Sequence, residues 1–125
     1  MNGPESQFYQ KTSGALRMFD WISIENAIAS GTFDTVVNFP GLGSAWVEFK
    51  IGHHKNPIDD LEGSQVAWAY KRLRKGVTNL GLLRSEKDDP VLYQIRLKSN
   101  RKTLEALPYP KKQDLADSLQ FLIVG

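Results

Sequence analysis

The sequence predicts a single α/β domain, a central mixed four-stranded sheet flanked by helices in the order α-β-β-α-β-β-α. Three observations predict it. The chain has 125 residues, enough for one core and too few for two domains of ordinary size. Hydrophobic residues make up 41% and charged residues 24%, close to an ordinary soluble globular protein. Stretches with the apolar spacing of a helix are interleaved with short runs rich in Val, Ile, Phe and Trp, bounded by Gly, Pro or Asp.

Taken in order, residues 1–14 are polar and read as a flexible N-terminal arm, which leaves 15–125 as the domain. Residues 15–30, ALRMFDWISIENAIAS, read as a helix that stops at Gly31, where a left-handed C-terminal residue fits. Residues 33–39 and 45–51 read as strands around the turn PGLGS. Gly41 and Gly43 form a GxG, but no helix follows, so a turn is expected and not a phosphate loop. After a loop over 52–57, Asp59 or Asp60 caps a second helix that runs to about Lys75 and closes at Gly76. Residues 78–85 and 91–98 read as two more strands around the turn KDDP. The second alternates, with Val91, Tyr93, Ile95 and Leu97 on one face and Leu92, Gln94, Arg96 and Lys98 on the other. Residues 107–110 interrupt, and 113–124 read as a short terminal helix.

Composition narrows the chemistry. There are no cysteines, which excludes a disulfide scaffold, a zinc ribbon and a cysteine nucleophile. His53 and His54 are the only histidines, so a histidine-rich metal site is excluded as well. The longest aliphatic or aromatic run, residues 121–124, is far too short to cross a bilayer. MNGPESQFYQ has neither the basic start nor the apolar stretch of a signal peptide, so a soluble, cytoplasmic protein with no membrane partner is expected. Net charge is only +2, but residues 1–70 carry four Lys or Arg against eight acids, and residues 71–112 carry twelve against four. That asymmetry suggests a surface for a polyanion, beside the alternative of ordinary solvated lysines.

Polar residues occupy apolar positions. In the first expected helix Glu25 falls between Trp21 and Ile28 on one side and Met18, Ala29 and Ile22 on the other. In the second, Gln65 falls among Leu61, Trp68, Ala69, Leu73 and Val66, and Arg72 lies on the same stripe. Buried unpaired carboxylates and amides cost several kcal/mol, so these side chains must meet partners. A salt bridge from Glu25 to Arg72, a backbone-bonded amide at Gln65 and a snorkelling Arg72 are the structural alternatives. On the hairpin, a turn at Gly41 pairs positions whose numbers sum to 82, so Asp34 faces Glu48, and Lys50 lies on the same side. The opposite side holds Phe33, Val37, Phe39, Ala45, Val47, Phe49 and Ile51. Two facing carboxylates repel, and Lys50, a divalent cation, or both should compensate. Hard oxygens with room for water suit Mg²⁺ or Mn²⁺, and a neighbouring lysine can hold or help deprotonate a water. Metal, water and a basic surface together point to phosphodiester hydrolysis.

This pattern resembles the PD-(D/E)XK nuclease superfamily, within it the small phage-type VRR-NUC and Holliday-junction-resolvase-like domains. The residues that carry the resemblance are Glu25-Asn26, Ser30-Gly31-Thr32-Phe33-Asp34, Trp46-Val47-Glu48-Phe49-Lys50, and the helix with Gln65 and Trp68 ending Arg74-Lys75-Gly76-Val77, over about residues 16–98. Phe33 stands where that family often has proline. The resemblance implies a restriction-endonuclease-like fold and a Mg²⁺-dependent DNA endonuclease, with Mn²⁺ as substitute, leaving 5′-phosphate and 3′-hydroxyl ends. Asp34, Glu48 and the backbone carbonyl of Phe49 would hold the ion, and Glu25 a second ion or a metal-bound water. Lys50 would orient the attacking water, and Gln65 would steady the site or touch the phosphate. Homodimers, and a host-cell cytoplasm if the protein is phage-encoded, are implied in the same way. Lys55, Lys71, Arg72, Arg74, Lys75, Arg96 and Lys98 are the expected DNA contacts. His53-His54-Lys55-Asn56 also suits a fragment of a histidine-metal nuclease, but no third histidine exists, and a flexible, DNA-facing or solvated loop is expected. A non-catalytic nucleic-acid-binding module and a partner-binding protein using residues 121–124 are the rival functions.

Overall fold

A computed structural model describes residues 3–24, 30–110 and 114–125. Helix α1 (Gly3–Ala15) comes first, then strands β1 (Asp20–Ser23), β2 (Thr35–Phe39) and β3 (Gly43–Ile51). A 3₁₀ turn (Pro57–Asp60) leads into α2 (Gly63–Arg74), followed by β4 (Leu80–Glu86), β5 (Asp89–Leu97), β6 (Leu104–Pro108) and α3 (Leu115–Val124). The strands form one sheet in sequence order, with every neighbouring pair antiparallel except β3 and β4. That parallel pair needs a crossover, and α2 supplies it across one face of the sheet.

An α/β domain is therefore what the chain forms, but the sheet has six strands among the described residues where four were expected. The expected helix over 15–30 is corrected. Its described part turns away from α1 and becomes β1, an edge strand with Asp20, Ile22 and Ser23 exposed. Ile22, exposed to 49%, lies on no helical stripe because there is no helix for it to belong to. The expected loose arm is helix α1, held by ring contacts of Phe8 and Tyr9 on Phe49 at centroid distances of 5.4 and 5.2 Å. Residues 107–110 were expected only to interrupt, yet Leu107 and Pro108 end β6. Proline is tolerated there because β6 is the outer strand, with β5 as its single neighbour. Asp59 and Asp60 lie in the 3₁₀ turn capped by Asn56, and α2 starts later, at an N-cap of Glu62.

Both faces of the sheet are covered. On one, α1 and α3 pack Phe8, Leu119, Leu122 and Ile123 against Val37, Val47, Phe49, Leu83 and Leu92. On the other, α2 packs Trp68, Ala69 and Leu73 against Leu80, Leu82, Val91, Tyr93 and Ile95. Burial on two sides explains why β4 reads as a continuous apolar run. The β2–β3 register is the expected one, Thr35 opposite Val47 and Val37 opposite Ala45. Phe33 departs from it. Lying before β2 begins, it packs on the α2 face against Trp68, at a centroid distance of 4.9 Å. In α3 the run 121–124 divides, with Leu122 and Ile123 buried and Phe121 and Val124 exposed. Among the described residues no helix is long and apolar enough to cross a membrane.

Candidate active site

The C-terminal half of β3 and the first turn of α2 meet on the α2 face, and a glycine allows them to. Gly31 has φ of +80°, and a Cβ there would stand 2.0 Å from the backbone oxygen of Ser64. Only glycine permits that approach, so the segment leading to Asp34 seats directly on the start of α2. Asp34 lies one residue before the paired run, which opens with Thr35 opposite Val47. Its backbone N–H donates to Glu48 Oε1 at 3.1 Å. The hydroxyl of buried Thr35 donates to Asp34 Oδ1 at 3.3 Å.

Glu48 is the centre of the cluster and is 2% exposed. Its Oε2 accepts from Gln65 Nε2 at 2.9 Å and lies 3.7 Å from Lys50 Nζ. Gln65 Oε1 accepts the backbone N–H of Glu62 at 2.9 Å, the reach-back bond of a helix N-terminus. That backbone group can only donate, so the amide orientation is fixed and Nε2 must point to Glu48. The two readings of Gln65 thus coincide: one amide caps the helix and holds the carboxylate.

Burial pushes the Glu48 carboxyl up to about 8, and the charge of Asp34 pushes the same way. The Asp34 N–H, Lys50 and Gln65 oppose the shift without cancelling it. Burial therefore keeps Glu48 from ionising readily beside Asp34, and only the ionised pair is short of positive charge. Tyr9 was not singled out from sequence, but burial and the Asp34 charge raise its phenol, placing α1 within electrostatic reach of the site. Nothing in a polar N-terminal segment marks that tyrosine.

Asp34 and Glu48 are hard oxygen donors, the chemistry that suits Mg²⁺ or Mn²⁺ when both are ionised. The Phe49 side chain is on the other face, so only its backbone could serve such an ion. Among the described residues no group of three or more His, Cys, Asp or Glu forms a metal site. Glu25, the expected further ligand, lies outside the described residues.

The expected DNA contacts fall into two regions. Lys71, Arg72, Arg74 and Lys75 lie on the last turn and end of α2, six to ten residues from Gln65, or roughly 9–15 Å along the helix axis. Arg72 stacks over Trp68, its Cζ 4.4 Å from the ring centre, and donates to the Trp68 carbonyl at 3.3 Å. Arg96 lines a hollow with the α2–β4 connection, so it joins that end of the molecule. Alternation puts it on the sheet face away from Ile95 and α2. Lys98 follows, exposed, just past β5. Lys55 sits at the other end, exposed in the loop after β3.

That loop is tied down, where a flexible one was expected. Arg84 lies opposite Lys50 in the parallel register and holds it. Arg84 Nε donates to Asp60 at 2.6 Å and Nη1 to Glu86 at 2.7 Å, and Nη2 bonds the His54 carbonyl. The Tyr93 hydroxyl bonds the same Glu86 oxygen. Sequence reading missed Arg84, although a charge inside the run LGLLRSE was the available signal. A comparison with known proteins returns no matching family model, no matching curated protein and no matching solved structure.

Proposed function

We propose that this chain is a Mg²⁺-dependent DNA endonuclease with a restriction-endonuclease-like arrangement of the PD-(D/E)XK kind. The observation that carries the reading is Glu48, a buried carboxyl that accepts the Asp34 N–H at 3.1 Å and Gln65 Nε2 at 2.9 Å and lies 3.7 Å from Lys50 Nζ. A protein that needed Glu48 only for structure would have gained from an apolar residue at a site 2% exposed.

Asp34 and Glu48, with the Phe49 carbonyl, are the residues to hold Mg²⁺. Bound there, the ion supplies Lewis-acid polarisation of a phosphoryl oxygen and a more acidic water. Gln65 keeps the Glu48 carboxylate turned toward Asp34 through its two hydrogen bonds. Lys50, held beside Glu48, orients the attacking water and accepts part of its developing negative charge. The basic end of α2 and Arg96 carry the strand through backbone phosphates, a contact that needs no base sequence.

The test is a panel of labelled branched and linear DNAs incubated with Mg²⁺, Mn²⁺ or Ca²⁺. Cleavage of at least one substrate, dependent on Mg²⁺ or Mn²⁺ and abolished by chelator, is the expected result. A salt-sensitive gel shift without cleavage on every substrate would replace the enzyme with a binding module.

A further inference from the structure

The α2–β4 connection enters the sheet where β5 leaves it, with Gly81 opposite Gln94. The basic end of α2 and the β5–β6 hairpin, residues 98–103, therefore share one end of the molecule. A direct contact joins them. The hydroxyl of Tyr70 on α2 donates to the Arg101 carbonyl at 3.4 Å, and Arg74 Cζ stands 5.8 Å from the Tyr70 ring centre. Arg74 Nη1 reaches the same hydroxyl at 3.5 Å.

The hairpin adds Arg101 and Lys102 to Lys98, and all three are exposed. Residues 63–85 and 90–104 contain no Asp or Glu, and Glu105, opposite Arg96, is the first acid past the hairpin. None of the ion pairs among the described residues involves a cation of the hairpin or of the α2 end. Like charges gathered without acids repel one another, and a polyanion relieves that repulsion.

The hairpin backbone is held against local preference. The Arg101 N–H donates to the Lys98 carbonyl at 2.8 Å, and Asn100 Oδ1 accepts the N–H groups of Lys102 at 2.9 Å and Thr103 at 3.3 Å. Arg101 is left at a φ of +59°, in the left-handed region that glycine fills without strain. A hairpin that only joined β5 to β6 would be more stable with glycine there, and an exposed side chain offers no packing to offset the strain. Ordinary solvated lysines account for Lys98 and Lys102. They do not account for an arginine in this conformation, latched to α2 through Tyr70.

We infer that the β5–β6 hairpin is a phosphate clamp for duplex DNA, in which Arg101, with Lys98 and Lys102, extends the basic end of α2 along the backbone. Lys50 lies level with Arg84, and Arg84 with Val91, seven residues short of Lys98, or roughly 23 Å along β5. At about 3.4 Å of rise, the clamp holds the duplex about seven base pairs from the Lys50 site. A duplex is stiff enough to span that distance without bending. The inference rests on the DNA-binding half of the nuclease reading above.

The experiment measures anisotropy of a labelled duplex with Ca²⁺ over a range of salt, for wild type, R101G and R101K. Melting temperatures of all three, and nicking of plasmid by wild type in Mg²⁺, are recorded in parallel. R101G is expected to bind more weakly, with a log–log salt slope shallower by about 0.9, and to melt at the same or a higher temperature. R101K should keep the wild-type slope. A wild-type slope in R101G, or a slope lost together with melting temperature, would overturn the clamp. If wild type nicks plasmid while R101G keeps its slope, the clamp falls alone. If the slopes differ as expected but wild type cleaves nothing, the clamp stands and the nuclease reading falls. If wild type does not bind the duplex, both fall.

Discussion

Raising the pH of the metal-free protein from 6 to 9 must charge Glu48 against both its burial and Asp34. With its carboxyl near 8, about one molecule in a hundred carries the charge at pH 6, about one in ten at pH 7, and about nine in ten at pH 9. A divalent cation binds the carboxylate and not the acid, so apparent affinity should rise about 90-fold across that range and level off above pH 8. At pH 7, binding should release about 0.9 proton. Titration calorimetry with Mn²⁺ in buffers of different ionisation enthalpy reads both quantities. Stability has the matching sign. The folded carboxyl near 8 is raised above its ordinary 4.5, so the native state holds the proton that the unfolded chain loses first. This contribution is full below 4.5 and is lost as pH rises through about 8, so chelated protein should melt lower at pH 9 than at pH 6. Asp34→Asn removes one cause of the shift, so it should move both profiles to lower pH, weaken Mn²⁺ binding and leave the chelated protein no less stable. Affinity independent of pH from 6 to 9, with no proton released, would refute the account of Glu48.

Gly31→Ala places a Cβ 2.0 Å from Ser64 O at a φ of +80°, so it should cost more than the usual ~1–3 kcal/mol of a strained left-handed residue in denaturant unfolding. It should also reduce any cleavage, because the start of α2, which carries Gln65 to Glu48, must move off the segment at Gly31. Arg84→Met leaves Asp60 and Glu86 without their cation, and chemical denaturation should show a loss of ~3–5 kcal/mol. Replacing Lys71 and Arg74 with Gln should weaken binding to all duplex sequences alike and reduce its salt slope by about 0.9 for each phosphate no longer neutralised. An unchanged slope moves the DNA surface away from α2.

The site was more legible than the sheet edges. That Glu48 and Lys50 share a face follows from period-two alternation along β3, and Gln65 announces itself as an amide on an apolar stripe. β1 and α1 defeat the same logic. An edge strand buries little, so the apolar residues before Gly31 fit a helical period equally well, and α1 anchors through two rings in an otherwise polar stretch. β6 is short and ends in proline, a residue that ordinarily signals the end of order. Asp60 looks like a helix cap from its position, and only the fold shows that Arg84, 24 residues away, claims it. Partners so far apart in sequence leave no local pattern to read.

The central claim is that Asp34, Glu48 and Lys50 hydrolyse DNA with a divalent cation. Nicking of supercoiled plasmid by wild type, Lys50→Met and Asp34→Asn, beside binding of the same DNA, tests it most directly. Wild type should nick with Mg²⁺ or Mn²⁺ and stop in chelator. Lys50→Met should bind nearly as well and lose about 10²–10⁴-fold in rate, the range expected of acid–base assistance. Asp34→Asn should not cleave. A loss under tenfold in Lys50→Met, or nicking by wild type that persists in chelator, would contradict it.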